Sequence, residues 1–289
     1  MSIYLAEPAW AKINRFLHVT GIRPDGYHTL RTVMQTVSLC DRISFRQSER
    51  DEKLVFICSD PALENESNLC VKAVRVFEES AGFAVSGRLK LDKRIPWGAG
   101  LGGGSADAAA VLRLLQRRFG RPLTDEQLMT AARRLGADVP FCVRGGRALC
   151  EGIGDVITPL PDERTEHMLI VKGKSGLSTP DMYKALDGRE NVLSEKRASD
   201  NEEGNDFEQA AFLFLPEIRN FMEALKTLGA SEVRMSGSGS AVFGVFASAA
   251  AAKKAEQAFS GWPHNPPDGG GIPVFTAVCR TIPRLTEVK

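Results

Sequence analysis

Alternation of apolar and polar residues is clearest in the first half of the chain, where it predicts β-strands. It extends over residues 10–19, 42–45 and 54–58, and Leu89 and Leu91 alternate with charged residues further along. Side chains two positions apart lie on the same face of a strand, so this pattern is typical of strands with one buried face. The first half is therefore predicted to contain a sheet.

Three helices are predicted in the same half from apolar residues spaced three and four positions apart. Asn68 is placed to cap the first helix, and Gly82 lies just past its end. The second helix runs from Ser105 to about residue 120. The third, with a capping-box sequence at its start, runs from 124 to 136.

The second half is also mixed in character. Thr179-Pro180 is typical of a helix start, and residues 216–228 predict another helix. The charged stretch 187–204 and the Pro- and Gly-rich stretch 260–271 are predicted to be surface loops. Because strands are grouped rather than strictly alternating with helices, an α+β fold with two lobes is predicted. The predicted strands of this half lie near residues 148–150, 168–171, 233–235, 242–246 and 275–279.

Composition and charge narrow the possible functions. The chain has 289 residues, of which 37 are Lys or Arg and 36 are Asp or Glu, giving a net charge of +1. A dedicated nucleic-acid binder normally carries a basic excess, so no nucleic-acid partner is expected. No apolar run reaches the roughly 18 residues that span a bilayer, and the first residues lack a signal-peptide pattern, so no membrane partner is expected.

The cysteines indicate the compartment. The chain has six, in apolar surroundings and without a CxxC pair, at positions 40, 58, 70, 142, 150 and 279. This usage predicts structural buried thiols in a reducing compartment, rather than disulfides or zinc ligands. A cytoplasmic location is therefore expected.

Five glycines fall within the seven positions 98–104, between a predicted strand and the Ser105 helix. Glycine lets backbone amides approach an anion closely, and a helix start adds unpaired N–H donors and the positive end of its dipole. The segment therefore predicts a site for a di- or triphosphate. A flexible turn is the alternative, although so many glycines at one junction disfavour it.

Two familiar nucleotide motifs are excluded. Gly98, Gly100 and Gly103 match GxGxxG, but the dinucleotide fingerprint needs a strand after the helix, and here a second helix follows. Gly173-Lys174-Ser175 resembles the end of a Walker A loop, yet Met168 stands where that motif requires glycine. A nucleotide would thus be held by the Gly98 loop without a Walker lysine.

Lys12 and Asp138 are candidates for catalysis. Lys12 lies in an otherwise apolar strand and shares a face with Asn14, although a lysine there is often an edge or snorkelling residue. Asp138 stands in an apolar turn after a helix, where a capping role is equally typical. A buried Asp paired with a Lys beside a triphosphate is the arrangement that would orient or deprotonate a hydroxyl attacking the γ-phosphate.

Several segments resemble motifs of the GHMP small-molecule kinases. Residues 96–108 (PWGAGLGGGSADA) resemble the ATP motif, 235–241 (MSGSGSA) the C-terminal glycine motif and 11–14 (AKIN) the N-terminal motif. Narrower markers resemble the branch of this family that phosphorylates a cytidine-diphosphate-linked methylerythritol. They occur in order at 16–19 (FLHV), 23–28 (RPDGYH), 136–141 (GADVPF) and 205–208 (NDFE).

The resemblance implies a two-lobed enzyme. Residues 1–160 would form an N-terminal, ATP-binding lobe of the ribosomal-S5-domain-2-like type, and residues 161–289 a ferredoxin-like C-terminal lobe, with the active site between them. The implied reaction is ATP- and Mg²⁺-dependent phosphorylation of the 2-hydroxyl of the cytidine-linked substrate, on the methylerythritol phosphate route to isoprenoids. Magnesium is expected because it bridges the β- and γ-oxygens in such transfers.

The resemblance also implies residue roles. Lys12 and Asp138 would be the catalytic pair, with Asp138 accepting the hydroxyl proton. Tyr27 would stack on cytosine and His28 would bind its edge, while Asn14 and Thr179 would hold the diphosphate end with Tyr183 nearby. Ser105 is a possible metal ligand. The implied ATP-binding residues are Asn68, Pro96, Trp97, Gly98, Ala99, Gly100, Leu101, Gly102, Gly103, Gly104, Ser105 and Ala106.

Two residues depart from the family pattern. Trp97 stands where a smaller residue is usual, and Arg15 replaces an apolar residue on the face opposite Lys12, where it needs an exposed edge or a partner.

ATP and the cytidine diphosphate substrate are negatively charged, whereas the net charge of the protein is only +1. The positive charge that attracts them would therefore have to be local, from Lys12, Lys93, Arg94 or Arg23.

Three other functions would explain part of the sequence. A homoserine or mevalonate-type kinase would share the glycine loops without needing Tyr27 and His28. A non-catalytic nucleotide sensor would tolerate loss of Lys12 or Asp138, and both are present. An RNA-binding protein is disfavoured by the absence of a basic stripe.

Overall fold

Two long strands organise the N-terminal half of the computed structural model, which describes residues 4–48, 53–187, 203–260 and 275–285. Strand β1 (Tyr4–Ile22) pairs antiparallel with β2 (His28–Gln47) around a turn in which Gly26 has a φ of +85°. The prediction for 10–19 is confirmed and extended. The prediction for 42–45 covered only the end of β2 and was too short.

The short prediction for β2 has a physical cause. Residues 32–37 of this strand are all buried, so apolar and polar residues do not alternate there in the way a half-exposed strand requires. Polar side chains of this stretch, such as Thr32 and Gln35, instead donate hydrogen bonds to backbone carbonyls. A buried strand of this kind carries no period-two signal.

The complete N-terminal sheet has six strands. The other four are β3 (Val55–Cys58), β4 (Gly87–Asp92), β5 (Arg147–Glu151) and β6 (Val156–Pro159). The order is β3-β4-β2-β5-β6, with β1 on β2, and only the β3–β4 pair is parallel. Strand β6 was not predicted.

Helices cover one face of this sheet, and their ends follow the predicted caps. The Asn68 side chain accepts a hydrogen bond from the Cys70 amide at 2.8 Å, and Gly82 ends the first helix in the left-handed region. Thr124 and Gln127 form the predicted capping box. The elements are α1 (Leu69–Ala81), α2 (Gly103–Arg118), α3 (Asp125–Leu135), α4 (Val139–Arg144) and a 3₁₀ turn (Pro61–Leu63).

Two helix predictions need correction. Helix α2 begins at Gly103 rather than Ser105, because left-handed Gly102 is its N-cap. Asp138 is not in a plain turn but directly precedes the short helix α4, which was not predicted. Six residues are too few for an apolar stripe to be recognised.

The C-terminal half follows the β-α-β-β-α-β order that defines a ferredoxin-like lobe, with three helices instead of one among the described residues between its first two strands. Its elements are β7 (His167–Lys172), α5 (Thr179–Lys184), α6 (Glu208–Phe214), α7 (Glu217–Thr227), β8 (Glu232–Met235), β9 (Val242–Phe246), α8 (Ala249–Ser260) and β10 (Phe275–Arg280). The strands form an antiparallel sheet with the order β10-β7-β9-β8. Helices α6 and α8 were not predicted.

Strand β7 shows how the two halves are joined. Met168 and Ile170 pack in one cluster with the core of the N-terminal half, whereas Leu169 and Val171 pack in a second cluster with the C-terminal helices. The second sheet is thus buried on both faces. The two-lobed α+β fold is confirmed, and the boundary at 160/161, between β6 and β7, stays a prediction.

Other expectations fall partly outside the described residues. Most of 187–204 and all but the first residue of 260–271 lie there. The six cysteines are free thiols; the predicted burial is confirmed for five of them, whereas Cys40 is only partly buried. Burial raises the pKa of Cys150 to about 12 and likewise of Cys279 to about 12. Among the helices that the structure describes, none is long and apolar enough to cross a membrane.

Candidate active site

A cleft of about 830 Å³ lies between the two halves and collects most of the residues that the sequence singled out. At one end, which we call the glycine end, lie residues 96–105 with Lys93. At the other, the aromatic end, lie Tyr27, His28, Tyr183 and Phe207. Lys12, Asn14, Asp138 and Thr179 also line the cleft.

The glycine end depends on backbone shapes that other residues rarely adopt. Gly98, Gly100 and Gly102 have φ values of +63°, +72° and +67°. A Cβ on Gly100 would lie 1.9 Å from the carbonyl oxygen of Ser236. The loop is therefore packed closely against the C-terminal glycine motif, residues 235–241, which we call the second glycine motif. The Ala241 amide, which donates to the Ala99 carbonyl at 3.1 Å, ties the two segments together.

The start of helix α2 opens onto this loop. Its N-cap Gly102 has no side chain to accept from the first amides, which also have no partner within the helix. The helix dipole adds positive potential at the same point. Backbone donors without a side-chain cap, in a glycine cradle, are suited to the oxygens of a phosphate chain.

The catalytic candidates meet in the cleft. Lys12 Nζ lies 3.5 Å from Asp138 Oδ2 and 2.6 Å from Asn14 Oδ1. The lysine is buried, whereas 30% of the Asp138 side chain is exposed. Asp138 makes no capping bond to α4, so its carboxylate is available to a ligand hydroxyl.

Lys12 is held closely on several sides. Its amide donates to the Leu101 carbonyl at 3.0 Å, and a Cβ on Gly102 would lie 2.9 Å from its Cγ. A Cβ on Gly237 would lie 3.3 Å from its Nζ. Both glycine motifs therefore make room for the lysine side chain.

Asn14 binds its neighbours inside the protein. Its Oδ1 accepts from Lys12, and its Nδ2 donates to the Thr32 hydroxyl at 2.9 Å. The residue is 2% exposed. The structure thus shows Asn14 orienting Lys12, and the predicted contact with a diphosphate stays a prediction.

The aromatic end is a chain of rings. The His28 and Tyr183 rings stack at 4.7 Å, and Tyr183 meets Phe207 edge-on at 4.9 Å. His28 Nε2 lies 2.9 Å from Asp187 Oδ1, and Tyr27 is 63% exposed. Burial, and next the Asp138 charge, raise the pKa of Tyr183 to about 12, so its hydroxyl stays protonated. Tyr183, expected near a diphosphate, lies here against His28.

Thr179 links the cleft to the second glycine motif. It is the first residue of α5, whose N-cap is Ser178 rather than Thr179 as the sequence suggested. Its hydroxyl lies 2.8 Å from that of Ser238. Both residues line the cleft, so two hydroxyls are presented together.

A buried charge cluster under the glycine end was missed by sequence reasoning. Lys93 Nζ donates to Asp107 Oδ2 at 2.8 Å and also to Asp41. Burial and the Asp41 charge raise the pKa of Asp107 to about 8 despite the opposing Lys93 charge. The two carboxylates raise the pKa of Lys93 against its desolvation. An aspartate inside an alanine-rich buried helix was the signal that could have revealed the cluster.

The basic residues expected to supply positive charge to the ligands have protein partners. Lys93 pairs with Asp41 and Asp107 and is not a solvated residue, and the Arg94 amide also donates to Asp41. Arg23 pairs with Asp25 at 2.7 Å in an exposed position. The positive charge that lines the cleft near the glycine loop comes from Lys12 and Lys93.

Trp97 and Arg15, the two residues that depart from the family pattern, lie in different surroundings. Trp97 is 75% exposed and lines the cleft beside the glycine loop. Arg15 has partners, as its position required: its guanidinium pairs with Glu166 and, at 2.6 Å, with Glu232 of the C-terminal half. Arg15 thereby joins the two lobes on the side away from Lys12.

Two predicted ATP contacts lie outside the cleft lining. Asn68 caps α1 through Oδ1 and donates to the Leu63 carbonyl through Nδ2. Its neighbour Leu69 lines the cleft instead. Ala106 is buried in α2. The proposed nucleotide roles of Asn68 and Ala106 stay predictions.

The donor set suits a nucleotide triphosphate and a magnesium ion carried with it. A Cβ on Gly98 would meet no protein atom within 4 Å, so the backbone of the loop is open at that position. In the described part of the chain there is no cluster of three or more His, Cys, Asp or Glu side chains that would hold a metal alone. Mg²⁺ commonly relies on one or two protein oxygens plus substrate phosphates, and Ser105 and Asp138 line the cleft.

Comparison with known families and proteins gives consistent matches. The model of the GHMP kinase N-terminal domain matches residues 68–146, and that of the GHMP kinase C-terminal domain matches 182–264. The 4-diphosphocytidyl-2-C-methyl-D-erythritol kinase of Clostridium beijerinckii is 38% identical over 252 residues, covering 82% of this chain and 89% of that protein.

Solved structures agree. A crystal structure of 4-(cytidine 5′-diphospho)-2C-methyl-D-erythritol kinase matches with a TM-score of 0.79 and 32% identity, over 96% of this chain and 99% of the other. The homoserine kinase of Cytophaga hutchinsonii matches with a TM-score of 0.67 at 19% identity, over 96% and 95% of the two chains. The second match shows a shared fold.

Proposed function

This chain belongs to the GHMP kinases and, within them, to the family of 4-diphosphocytidyl-2-C-methyl-D-erythritol kinases, and we propose that it transfers the γ-phosphoryl group of ATP to the 2-hydroxyl of 4-(cytidine 5′-diphospho)-2-C-methyl-D-erythritol. This is a step of the methylerythritol phosphate route to isoprenoid precursors. The observation that carries the proposal is the Lys12–Asp138 pair, 3.5 Å apart, in one cleft with a glycine end and an aromatic end.

In the proposed reaction, Asp138 accepts the proton of the 2-hydroxyl as its oxygen attacks the γ-phosphorus. A new O–P bond forms, the bond to the β–γ bridging oxygen breaks, and ADP leaves. Lys12 stabilises the Asp138 carboxylate and the charge on the reacting oxygens, and Asn14 orients Lys12. Because phosphoryl transfer is loose, positioning and charge neutralisation supply most of the rate.

The glycine end would hold the phosphates of ATP through backbone amides and the start of α2. Mg²⁺, when bound with ATP, neutralises the charge of the β- and γ-oxygens. Ser105, placed in the first turn of α2, is the proposed protein ligand of the metal. Trp97, exposed beside the loop, would contact the nucleotide.

The aromatic end would bind cytosine. Tyr27 is exposed and would stack on a base, and His28, whose Nε2 lies 2.9 Å from Asp187 Oδ1, would offer its other ring nitrogen to the base edge. Because Tyr183 stacks on His28, we propose that its ring belongs to this base pocket rather than to the diphosphate end. Thr179 and Ser238 would then be the hydroxyl donors for the diphosphate.

We place this reaction in the cytoplasm, a proposal supported by the six free cysteines. We also propose the division into an ATP-binding lobe, 1–160, and a C-terminal lobe, 161–289. The strands of the first sheet end at Pro159 and those of the second begin at His167, which supports a boundary there.

A coupled kinase assay distinguishes the candidate substrates. The cytidine-linked methylerythritol, homoserine, mevalonate and galactose would each be offered with ATP and Mg²⁺. We expect turnover of the first alone, because the others cannot use the aromatic end. Turnover of homoserine or mevalonate without the first would reassign the chain to another GHMP kinase activity. ATP binding without turnover of any would indicate a nucleotide sensor.

A further inference from the structure

Residues 205–208 form a junction between four parts of the molecule. Asn205 Nδ2 donates to the carbonyls of Met235 and Gly237, at 2.9 and 2.8 Å. Asp206 Oδ2 accepts from the Val19 amide of β1 at 2.8 Å. The Phe207 ring contacts Tyr183 in the aromatic end, and Glu208 accepts from the Met235 amide. Four consecutive residues thus join β1, the second glycine motif, the aromatic end and β8.

Asn205 is fully engaged and buried. It is 7% exposed, and its Oδ1 accepts from the Phe207 amide at 3.0 Å while its Nδ2 makes the two bonds to the glycine motif. The backbone around it also pairs with β1, through the Leu17 amide to the Gly204 carbonyl and the Asp206 amide to the Leu17 carbonyl. Its position is therefore set by β1, the strand that carries Lys12.

The contacts continue from Asn205 to the catalytic lysine. Gly237, whose carbonyl Asn205 holds, has a φ of +56°, and a Cβ on it would lie 3.3 Å from Lys12 Nζ. The preceding residue, Ser236, accepts from the Asn14 amide at 3.3 Å and donates to the Gly100 carbonyl at 2.9 Å. The turn at residues 236–239, which we call the Gly237 turn, thus packs against the Lys12 ammonium. Asn205 holds this turn through the Gly237 carbonyl.

We propose that Asn205 is a positioning residue for phosphoryl transfer, holding the Gly237 turn so that the Lys12 ammonium stays directed at Asp138. Asn205 does not line the cleft, so it acts through Gly237 rather than on a ligand. This inference rests on the proposed function only where kcat is measured; the hydrogen-exchange measurement does not depend on it. Removing the amide leaves two buried carbonyls without their donor, and the turn loses its fixed position.

The test compares Asn205→Ala with the wild-type enzyme by steady-state kinetics and by amide hydrogen exchange over residues 236–241. We expect kcat to fall by about 10- to 100-fold, since small displacements of a catalytic group have effects of that size. KM for ATP and the affinity for a non-hydrolysable ATP analogue should change less than about threefold, because Asn205 does not contact the nucleotide site. KM for the cytidine substrate should rise moderately, because Ser238 of the same turn is a proposed donor to its diphosphate. Exchange in the turn should become faster.

Two further variants guard against misreading. Should the alanine variant fail to fold, Asn205→Asp takes its place. Its carboxylate still accepts from the Phe207 amide but cannot donate to the carbonyls of Met235 and Gly237, so we expect the same loss of kcat. Asn65→Ala removes an exposed asparagine with only local hydrogen bonds and should leave kcat unchanged. It controls for the Asn→Ala change itself.

The outcomes separate the two proposals. A folded Asn205 variant with kcat within twofold of wild type, or with lowered kcat but unaltered exchange in the turn, overturns the positioning role. Hydrogen exchange is measured without ligand. If the wild-type enzyme does not phosphorylate the cytidine substrate, the proposed function fails, while faster exchange in the Asn205 variant still supports the anchoring of the turn.

Discussion

The two ends of the cleft are built on different principles. The glycine end presents backbone amides and the start of a buried 16-residue helix, and its shape requires the absence of side chains at Gly100 and Gly102. The aromatic end presents side-chain rings, one of them Tyr27 with 63% of its surface exposed. Phosphate oxygens are bound by N–H groups that the backbone of any residue can supply and by the positive end of a helix dipole. A base, in contrast, is selected by stacking on particular side-chain rings.

This contrast implies that substitutions at the two ends should have different consequences. Changes at the glycine end should disturb folding and ATP binding together, because the loop is packed against the second glycine motif. Changes at the aromatic end should alter acceptor binding with little effect on folding. The catalytic pair lies where the ends meet and should respond in kcat.

The largest effect is expected at that meeting point. Asp138→Ala should lower kcat by about 10²- to 10⁴-fold, the usual contribution of a general base. ATP binding, measured by calorimetry, should be nearly intact, because Asp138 makes no capping bond whose loss would unravel α4. Asp138→Asn serves as the matched control for shape and should show a similar loss. An unchanged kcat would remove Asp138 from the mechanism.

The next effect concerns the glycine end. Gly100→Ala places a Cβ 1.9 Å from the Ser236 carbonyl oxygen, at a φ of +72°. The left-handed conformation and the overpacking should together lower the free energy of unfolding by about 2–5 kcal/mol. ATP affinity should fall with it. Chemical denaturation and calorimetry measure the two.

Gly120→Ala is the matched control for that variant. Gly120 has the same φ of +72°, but a Cβ there meets nothing within 4 Å. Only the conformational cost of about 1–2 kcal/mol should appear, with ATP affinity unchanged. Equal losses of stability and affinity in both variants would show that the packing against Ser236 has no special role.

At the aromatic end, Tyr27→Ala should raise KM for the cytidine substrate. Stacking on a base is worth about 1–3 kcal/mol, which corresponds to roughly 5- to 150-fold in affinity. KM for ATP and the unfolding free energy should change little, since Tyr27 is largely exposed. Tyr27→Phe should retain most of the stacking. Equal changes of both KM values in the alanine variant would contradict a base-binding role.

A pH dependence of stability, with little effect on substrate binding, is expected beneath the glycine end. The pKa of Asp107 is raised to about 8 in the folded protein, so the folded state binds this proton more tightly than the unfolded state. Its contribution to stability is therefore present at low pH and is lost as pH rises towards 8, with a slope of at most about 1.4 kcal/mol per pH unit.

Asp107→Asn removes that contribution. Relative to wild type, the variant should gain stability steadily between pH 5 and 8, as measured by denaturant unfolding at several pH values. Lys93, whose pKa is also raised, contributes a change only above its ordinary range near 10.5. A stability difference that is constant across this window would show that Asp107 does not titrate there.

Local chemistry made some parts of the structure predictable. Asn68 as a helix cap and the Thr124 capping box are confirmed because a cap is decided by neighbouring backbone groups within three residues. The glycine loop was found because glycines at a strand–helix junction lower stability unless a special backbone shape needs them. The short extent predicted for β2 was wrong because burial on both faces removes the alternation.

What the sequence by itself determined is the set of local structures and the type of ligand: a phosphate loop, capped helices, two lobes and the family to which the chain belongs. Only the tertiary structure decided which distant residues meet, namely Lys12 with Asp138, Lys93 with Asp41 and Asp107, and Asn205 with Gly237. Local structure follows from steric and hydrogen-bonding preferences of adjacent residues, whereas these contacts depend on how the sheets and helices pack together, which no short stretch of residues encodes.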